Sequence, residues 1–410
     1  MISESLSSER ERWRQVILGF ASIFVIAIAE GAYLIMIVSY LERSRVPVNQ
    51  IGAILAFLSV LEAITTLGAG FVLRRWPLLV TLTVPLLAQA ASAAILIFQP
   101  LGLAVWASAG LNGLGMGLVG VALYTTTLDR RPAGLRLGTT VGWYTGFIAA
   151  GNGVGALLSG LLADKWGFPA AFVLSTVCFM LAAVLSVVLQ VLPAVPAPEP
   201  EPIRQSNKSG GLTVPAWAWL AATLAAFSLA GINTAFEILF PVYGLRAGLS
   251  VAVIGSLEGL KALLAGVIRP FSGMALARVR LMPVNTASLI GLAVSVALVP
   301  WVGLQAGLAA IMAAFGLGFG TSRVVSATLL LADGPRQESS GRRISYYSTA
   351  LCVGAIIGPW IAGVLALRLG ISSAFVLTPV LFVGLFLAAL ALLPRLGVRS
   401  PDLLKGFPHA

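Results

Sequence analysis

Four glutamates of this 410-residue chain lie within long apolar segments, where a charged side chain is costly and usually marks a functional site. A carboxyl group removed from water favours its protonated form, so it can bind a proton near neutral pH and release it when water or a cation reaches it. The only histidine is His409, next to the last residue, so carboxylates must carry any protons that the protein moves. The candidates for proton coupling are therefore Glu30, Glu62, Glu237 and Glu258.

Basic residues occur in the same apolar segments and leave alternatives open. Glu258 and Lys261 are adjacent on one helix face, and they either neutralise each other or exchange partners when a substrate binds. Arg323 either holds an anionic group or pairs with a carboxylate. Arg269 lies close to a loop, which favours a role in anchoring its helix. The excess of acids over bases favours a cationic or amphiphilic substrate.

The composition indicates that the elements that position these residues are membrane-spanning segments. Apolar residues make up 58% of the chain and charged residues 10%, with a mean hydropathy of +0.97, which predicts a polytopic integral membrane protein. The net charge of +11 comes from short basic clusters between apolar runs, a topological pattern that excludes nucleic acid as a partner. Cys178 and Cys352 both lie in apolar stretches, so we expect no disulfide, no metal centre and no cofactor.

A helix needs about 20 residues to cross the hydrocarbon core. Segments of this kind predict twelve membrane-spanning helices at 16–40, 50–73, 77–98, 101–127, 138–161, 169–192, 216–242, 250–273, 282–300, 303–331, 343–365 and 372–393. A Pro-, Glu- and Ser-rich stretch after the sixth segment reads as a linker. The predicted domains are an N-terminal six-helix bundle over 1–193, a linker over 194–213 and a C-terminal six-helix bundle with a tail over 214–410.

The distribution of basic residues predicts the orientation. Most Lys and Arg fall on the side of the N-terminus and the linker. The opposite loops hold only Arg43, Arg45, Lys165, Arg246 and Arg368. We therefore expect a multi-pass protein of a bacterial-type inner membrane, surrounded by lipid, monomeric, with both termini cytoplasmic.

The second half of the chain repeats the first with a constant offset of 203 residues. Ala32 recurs as Ala235, and the segment 171–174 returns unchanged as 374–377. The register places Glu30 and Asn233 at equivalent positions, so both should project toward the axis that relates the two halves, at the same depth. Two parallel copies of one membrane bundle are the framework of a secondary transporter with its site between the halves.

Two glycine motifs carry a resemblance to a known family. After the second span Gly70 and Arg75 match a loop motif of the major facilitator superfamily, and Gly273 and Arg278 repeat it, although Arg74 replaces the family's usual Asp. The fifth span is similar to that of the drug/proton antiporters of this superfamily. Glycines at this spacing let another helix approach closely, in a contact that we expect to slide or bend as the bundles rock. The matching residues are Gly142, Gly151 and Gly155, with Gly354, Gly358 and Pro359 in the repeat.

The resemblance implies an all-α fold of twelve helices in two pseudo-symmetric bundles, with spans 1, 4, 7 and 10 lining a central cavity. Tyr33 lies one turn from Glu30 and should share its face. The expected cavity residues are Tyr33, Asn112, Asn233, Lys261 and Arg323, together with Glu30 and Glu237.

The first functional hypothesis is an antiporter that exports a small organic solute in exchange for protons. The second is a proton-coupled importer of a sugar, peptide-like or organic-acid solute. A third, from another class, is a membrane sensor or scaffold that transports nothing, which the lack of a soluble domain beyond the linker argues against. The residues show no nucleophile–base constellation and no nucleotide-binding loop, so we expect neither an enzyme nor an ATP-driven pump.

Overall fold

The computed structural model describes residues 2–129, 137–191, 216–275, 281–303, 305–331 and 337–392. Within these residues the chain forms twelve α-helices, all long and apolar enough to cross a membrane. The twelve predicted spans are confirmed, and the predicted linker lies outside the described residues. The helices are α1 (Ile2–Arg43), α2 (Val48–Arg75), α3 (Leu78–Ile97), α4 (Leu103–Asp129), α5 (Leu137–Trp166), α6 (Phe168–Val191), α7 (Ala216–Arg246), α8 (Val251–Ala275), α9 (Leu281–Leu298), α10 (Gln305–Leu331), α11 (Gln337–Leu369) and α12 (Ile371–Leu392).

The helices pack as two bundles, α1–α6 and α7–α12. Successive helices run in opposite directions, so α6 ends and α7 begins on the same side of the molecule. We call that side the linker end and the opposite side the far end. At the far end, Arg246 of α7 forms an ion pair with Glu42 of α1, with 2.7 Å between Nε and Oε1, and this contact joins the two bundles.

Packing contacts repeat with the offset of 203 residues. A Cβ added to Gly151 in α5 would lie 2.6 Å from the Phe24 carbonyl oxygen of α1, and Gly354 in α11 meets Phe227 of α7 in the same way. Gly167 and Gly370, each the turn before the last helix of its bundle, both have positive φ, 83° and 89°. Since these contacts are three-dimensional, the structure confirms the register of the repeat.

Two helix pairs form the most extensive contacts between the bundles, α5 with α8 and α2 with α11. Glycine allows the close approach in both pairs. In the first, a Cβ added to Gly153 would lie 2.8 Å from the Gly259 carbonyl oxygen, and one added to Gly160 would lie 2.9 Å from the Gly255 Cα. In the second, a Cβ on Gly52 would lie 2.6 Å from the Pro359 carbonyl oxygen. We call these contacts the α5–α8 seam and the α2–α11 seam.

Candidate functional site

Glu30 lies halfway along the apolar part of α1 with only 8% of its surface exposed. Gln89 of α3 donates a hydrogen bond from Nε2 to Glu30 Oε1 at 3.3 Å. Glu30 is also within electrostatic range of Glu62. The carboxyl group thus bonds within the N-terminal bundle and lies within electrostatic range of a second carboxylate. Gln89 was not among the predicted site residues, although it is a polar side chain in an apolar helix, which is the feature that selected Glu30.

Tyr33, like Glu30, is directed toward the interior of the N-terminal bundle. The side chain is fully buried, and its hydroxyl lies 2.8 Å from Ser108 Oγ of α4, which also bonds Ser92 of α3. Three residues along an α-helix correspond to about 300° of rotation, so Tyr33 is turned roughly 60° from Glu30. The two side chains therefore point into the bundle in neighbouring directions.

The amide candidates occupy different surroundings. Asn112 of α4 is buried, and neither polar atom of its amide has a hydrogen-bond partner among the described residues. Asn233 of α7 is half-buried and donates from Nδ2 to Glu237 Oε1 at 2.7 Å, one helical turn away. Asn233 is the repeat equivalent of Glu30, so the two halves place a carboxylate and an amide at matching positions. Glu237 is half-buried as well.

Glu258 and Lys261 of α8 form a buried ion pair, with 2.6 Å between Nζ and Oε2. Only 2% and 5% of their respective surfaces are exposed. The ammonium group lies between two aromatic rings, 4.9 Å from the centroid of Phe236 and 5.1 Å from that of Phe315. In this conformation the pair neutralises itself inside the C-terminal bundle, and Lys261 is not on an accessible surface.

Glu62 and Arg323 belong to opposite bundles and lie within electrostatic range of each other. Glu62 of α2 and Arg323 of α10 are both half-buried. Glu237 of α7 is within the range of Glu62 too. The region between the bundles therefore contains two half-buried carboxylates and a cation, with Glu30 bordering it.

Arg269 contacts the opposite bundle, which goes beyond the expected role of anchoring its own helix near a loop. Only 6% of its surface is exposed, and its Nη1 donates to the Thr145 carbonyl oxygen of α5 at 2.6 Å. This bond crosses from one bundle to the other near the linker end of the α5–α8 seam. Its guanidinium also lies over the Phe319 ring, 5.5 Å from the centroid. Sequence position alone did not indicate a partner in the opposite bundle.

The fifth-span glycines divide into two groups. Gly151 and Gly155 face α1 of their own bundle, where a Cβ on Gly155 would overlap the Ile28 carbonyl oxygen. Their repeats Gly354 and Gly358 face α7 in the same manner. The expectation that Gly151 and Gly155 form a contact that slides during rocking does not fit this position, because α1 and α5 belong to one bundle. Gly142 instead faces Pro270 of α8 and belongs to the α5–α8 seam.

The loop-motif residues lie at the linker end. Gly70 is exposed, with no atom within 4 Å of an added Cβ, and the Arg75 guanidinium lies 5.9 Å from the Phe71 ring centroid. Gly273 lies in the last turn of α8, and Arg278 lies outside the described residues. Pro359 lies within α11, where its carbonyl oxygen meets Gly52 at the α2–α11 seam.

Comparison with known proteins decides the family. The family model described as the Major Facilitator Superfamily matches residues 19–340. The chain belongs to the major facilitator superfamily. It is therefore a transporter and an integral multi-pass membrane protein, in agreement with its twelve apolar helices.

Solved structures of transporters have the same fold. A mutant of the nucleoside transporter NupG superposes with a TM-score of 0.68 at 13% identity, over 92% of this chain and 99% of that one. A mutant of the peptide transporter POT superposes with a TM-score of 0.70 at 16% identity, over 96% of each chain. The same POT mutant in complex with sulfate gives 0.70 at 18% identity, over 95% of this chain and 96% of that one. At these identities the likeness extends to the fold and not to the substrate.

Proposed function

We propose that this superfamily member couples the transport of a small organic solute to the movement of a proton, with Glu62 as the main proton carrier. This role is supported by the position of Glu62 and Arg323 in opposite bundles, within electrostatic range of each other. Both are half-buried, so each is close to the boundary between water and a low-dielectric interior. A carboxylate in that environment stays ionised near a cation and takes up a proton when the cation is engaged elsewhere.

The other carboxylates extend this proton site. Glu30 lies within range of Glu62 and accepts a hydrogen bond from Gln89, and Glu237 accepts one from Asn233. Two ionised carboxylates in one low-dielectric region repel each other, so a proton on either favours ionisation of the other. The three glutamates then behave as one site that shares a proton. Glu258 is outside this group because Lys261 already neutralises it.

Uptake by symport is the direction that this arrangement supports best. A solute group that binds Arg323 withdraws the positive charge from Glu62, and Glu62 then binds a proton more readily. Solute and proton binding thus favour each other, and ligands that bind together move in the same direction.

Proton-driven export is the second candidate. It is supported by the excess of carboxylates, since a cationic solute would displace the proton from Glu30, Glu62 or Glu237. The resemblance of the fifth span to antiporters gives it less support than the sequence suggested. Gly354 and Gly358 repeat the contacts of Gly151 and Gly155, so tight packing within each bundle explains these four glycines.

The experiment begins with a ligand. A ligand that binds the folded protein raises its melting temperature, so a thermal screen of organic acids, amines, sugars, nucleosides and dipeptides identifies one. That ligand is then added outside proteoliposomes that contain a pH-sensitive dye. Acidification of the lumen indicates symport, and alkalinisation indicates antiport. Transport of the ligand without any proton movement would contradict the proposal.

Substitutions of individual glutamates identify the proton carrier. Glu62→Gln should still bind the ligand but should lose the dependence of transport on the pH gradient, and Glu30→Gln should weaken that dependence. Glu42→Gln is the matched control, because it removes a carboxylate at the far end rather than between the bundles. Gradient-driven flux at the wild-type rate in Glu62→Gln would remove this residue from the mechanism.

We also propose that the linker end faces the cytoplasm of a bacterial-type inner membrane and that the protein acts as a monomer. The scarcity of basic residues in the far-end loops supports the orientation. A single cysteine in the linker should react with an impermeant thiol reagent only after the cells are opened.

A further inference from the structure

Arg269 carries a buried charge without a complete set of partners. Its Nη1 donates to the Thr145 carbonyl oxygen, and its guanidinium packs over the Phe319 ring. Among the described residues its Nε has no hydrogen-bond partner. With 6% of the residue exposed, the unpaired N–H cannot be satisfied by bulk water. A buried donor left unpaired is costly, and the cost is larger on a charged group.

A second guanidinium lies nearby. Arg323 is half-buried on α10, its guanidinium is 5.7 Å from the Tyr347 ring centroid, and its charge acts on that of Arg269. Within the part of the chain that the structure describes, neither arginine is within ion-pair distance of a carboxylate. The two cations thus lie within electrostatic range of each other, and among the described residues neither has a counter-ion in contact.

Such an arrangement favours an anion. Charged groups removed from water are normally paired, because desolvation of an isolated charge costs several kcal/mol in real proteins, on the order of the stability of a whole domain. The planar guanidinium fork matches the geometry of carboxylate and phosphate groups. Aromatic rings beside both arginines keep the site apolar around the charges, which strengthens their attraction for an anion.

Groups from both bundles surround the site. Arg269 and Arg323 belong to α8 and α10, while the carbonyl oxygen that holds Arg269 belongs to α5 of the other bundle. Tyr124 of α4, also in the N-terminal bundle, lies within electrostatic range of Arg323 and Tyr347. All these residues lie toward the linker end of their helices. A ligand at this position would contact elements that move relative to each other when the bundles rock.

We propose that Arg269 and Arg323 together bind the anionic group of the transported solute, a carboxylate or a phosphate, on the linker side of Glu62. The inference rests on the proposed transport function and names its substrate class, an organic anion. It departs from the cationic substrate that the excess of acids suggested. The paired Glu258 no longer counts toward that excess, and neither arginine has a counter-ion in contact within the part of the chain that the structure describes.

The test uses the purified full-length protein in a neutral detergent. Melting temperatures are measured against rising concentrations of sodium phosphate, succinate and benzoate, with sodium chloride at matched ionic strength as the reference. At least one of the three anions should raise the melting temperature in a saturable manner. The half-saturating concentration should rise about tenfold or more in Arg323→Gln and Arg269→Gln, the loss expected for a charge-assisted hydrogen bond worth about 1.5–3 kcal/mol.

Control variants separate the site from general charge effects. Arg246→Gln removes one positive charge at the far end and should leave the half-saturating concentration unchanged. Arg323→Lys keeps the charge but not the fork and should give an intermediate value. If Arg269→Gln fails to fold, the half-buried Arg323 still decides the question, since its replacement leaves the bond to α5 intact.

Three results would overturn the inference. In the first, none of the three anions stabilises the wild type in a saturable manner. In the second, the anions stabilise Arg323→Gln as much as the wild type. In the third, only nanodiscs that contain phosphatidylglycerol stabilise the protein, which would assign the site to a lipid headgroup. The proposed proton coupling can fail separately. Anion binding that depends on Arg323, in a protein whose transport moves no protons, would reject the coupling and keep the anion site.

Discussion

The two seams between the bundles occupy equivalent positions in the repeat, yet they are built differently. Along the α5–α8 seam, glycines permit close contact from the linker end to the far end, at Gly142, Gly146, Gly153 and Gly160 on α5 and at Gly255, Gly259 and Gly266 on α8. Along the α2–α11 seam, contact through glycine is confined to the far end, at Gly52 and Gly363.

Larger residues replace the missing glycines. The α11 equivalents of Gly146 and Gly153 are Thr349 and Ile356. In α2, Ala56 and Ala63 stand where α8 has Gly259 and Gly266. Each added side chain keeps the helix axes further apart, so toward the linker end α2 and α11 cannot approach as closely as α5 and α8 do.

The wider separation of α2 and α11 is visible at one pair of equivalent residues, Pro270 and Leu67. Pro270 of α8 lies against α5, and a Cβ on Gly146 would be 3.5 Å from its Cγ. Its counterpart Leu67 of α2 is 60% exposed, and Phe71 one turn later is 66% exposed. The bundles thus stay joined on one side over their full length and separate on the other side toward the linker end. We therefore expect the α5–α8 seam to act as the axis of a rocking motion and the α2–α11 seam to be the side that opens.

The largest effect is expected at glycines that face their own bundle. In Gly155→Ala the new Cβ would overlap the Ile28 carbonyl oxygen, and in Gly358→Ala it would overlap that of Gly231. Because helices within a bundle cannot separate without unfolding it, each variant should lower the free energy of unfolding by about 1–3 kcal/mol or more. Melting temperature and the yield of monodisperse protein measure this.

Gly68→Ala is the matched control, since no atom lies within 4 Å of its added Cβ. It should stabilise α2 slightly, by about 0.5–1 kcal/mol, because alanine loses less backbone entropy than glycine. A Gly155→Ala protein that melts like the wild type but transports slowly would place this glycine on a moving contact after all.

A smaller effect on folding, but a clear one on transport, is expected at the α5–α8 seam. A Cβ at Gly153 would lie 2.8 Å from the Gly259 carbonyl oxygen and 2.8 Å from Leu263 Cγ. Gly153→Ala should insert and fold, yet it should transport about tenfold more slowly, which corresponds to about 1.4 kcal/mol on the barrier. Ile356→Val in α11 provides the comparison and should stay close to the wild-type rate. Equal losses in both would show that the seams share the motion.

Thiol accessibility tests which side opens. In a background without Cys178 and Cys352, Leu67→Cys should react with a polar maleimide about tenfold faster than Pro270→Cys, since reactivity follows exposure of the thiol. Closure of the linker end should slow the reaction at position 67 and leave position 270 unchanged. Comparable rates at both positions would contradict an opening confined to the α2–α11 side.

The smallest effect is expected at the far end. The Arg246 side chain is 48% exposed, so its ion pair with Glu42 is screened by water and salt. Arg246→Gln should shift the equilibrium between the conformation with an open linker end and the one with a closed linker end by less than about 1 kcal/mol. A double-mutant cycle with Glu42→Gln, repeated at high salt, measures the coupling. A coupling energy that persists at high salt would mean that this pair, and not the seams, holds the far end closed.

The number of helices and the register of the repeat could be predicted from the sequence because both follow from periodic patterns in the chain. The partners of individual side chains could not. A glycine face predicts that some helix comes close, but it does not say which one, so Gly151 was expected to slide and instead packs inside its bundle. Tyr33 was placed by counting turns, which did not indicate its hydrogen bond to Ser108 of α4. The bond from Arg269 to Thr145 depends on how the bundles dock, which local spacing does not encode.

The buried pair of Glu258 and Lys261 has a consequence for how the protein reaches the membrane. Both residues belong to α8, one turn apart, so the helix carries its own counter-charge before it meets any neighbour. As α8 leaves the translocon, the lipid encounters a segment whose two charges already cancel. A single uncompensated Lys or Asp at the centre of a helix costs about 2.5–3.5 kcal/mol on insertion. Glu258→Gln would therefore act during biosynthesis, because it leaves Lys261 of the new chain without a counter-charge. The second half of the chain would then insert less efficiently, before the Phe236 and Phe315 rings could shield the ammonium group.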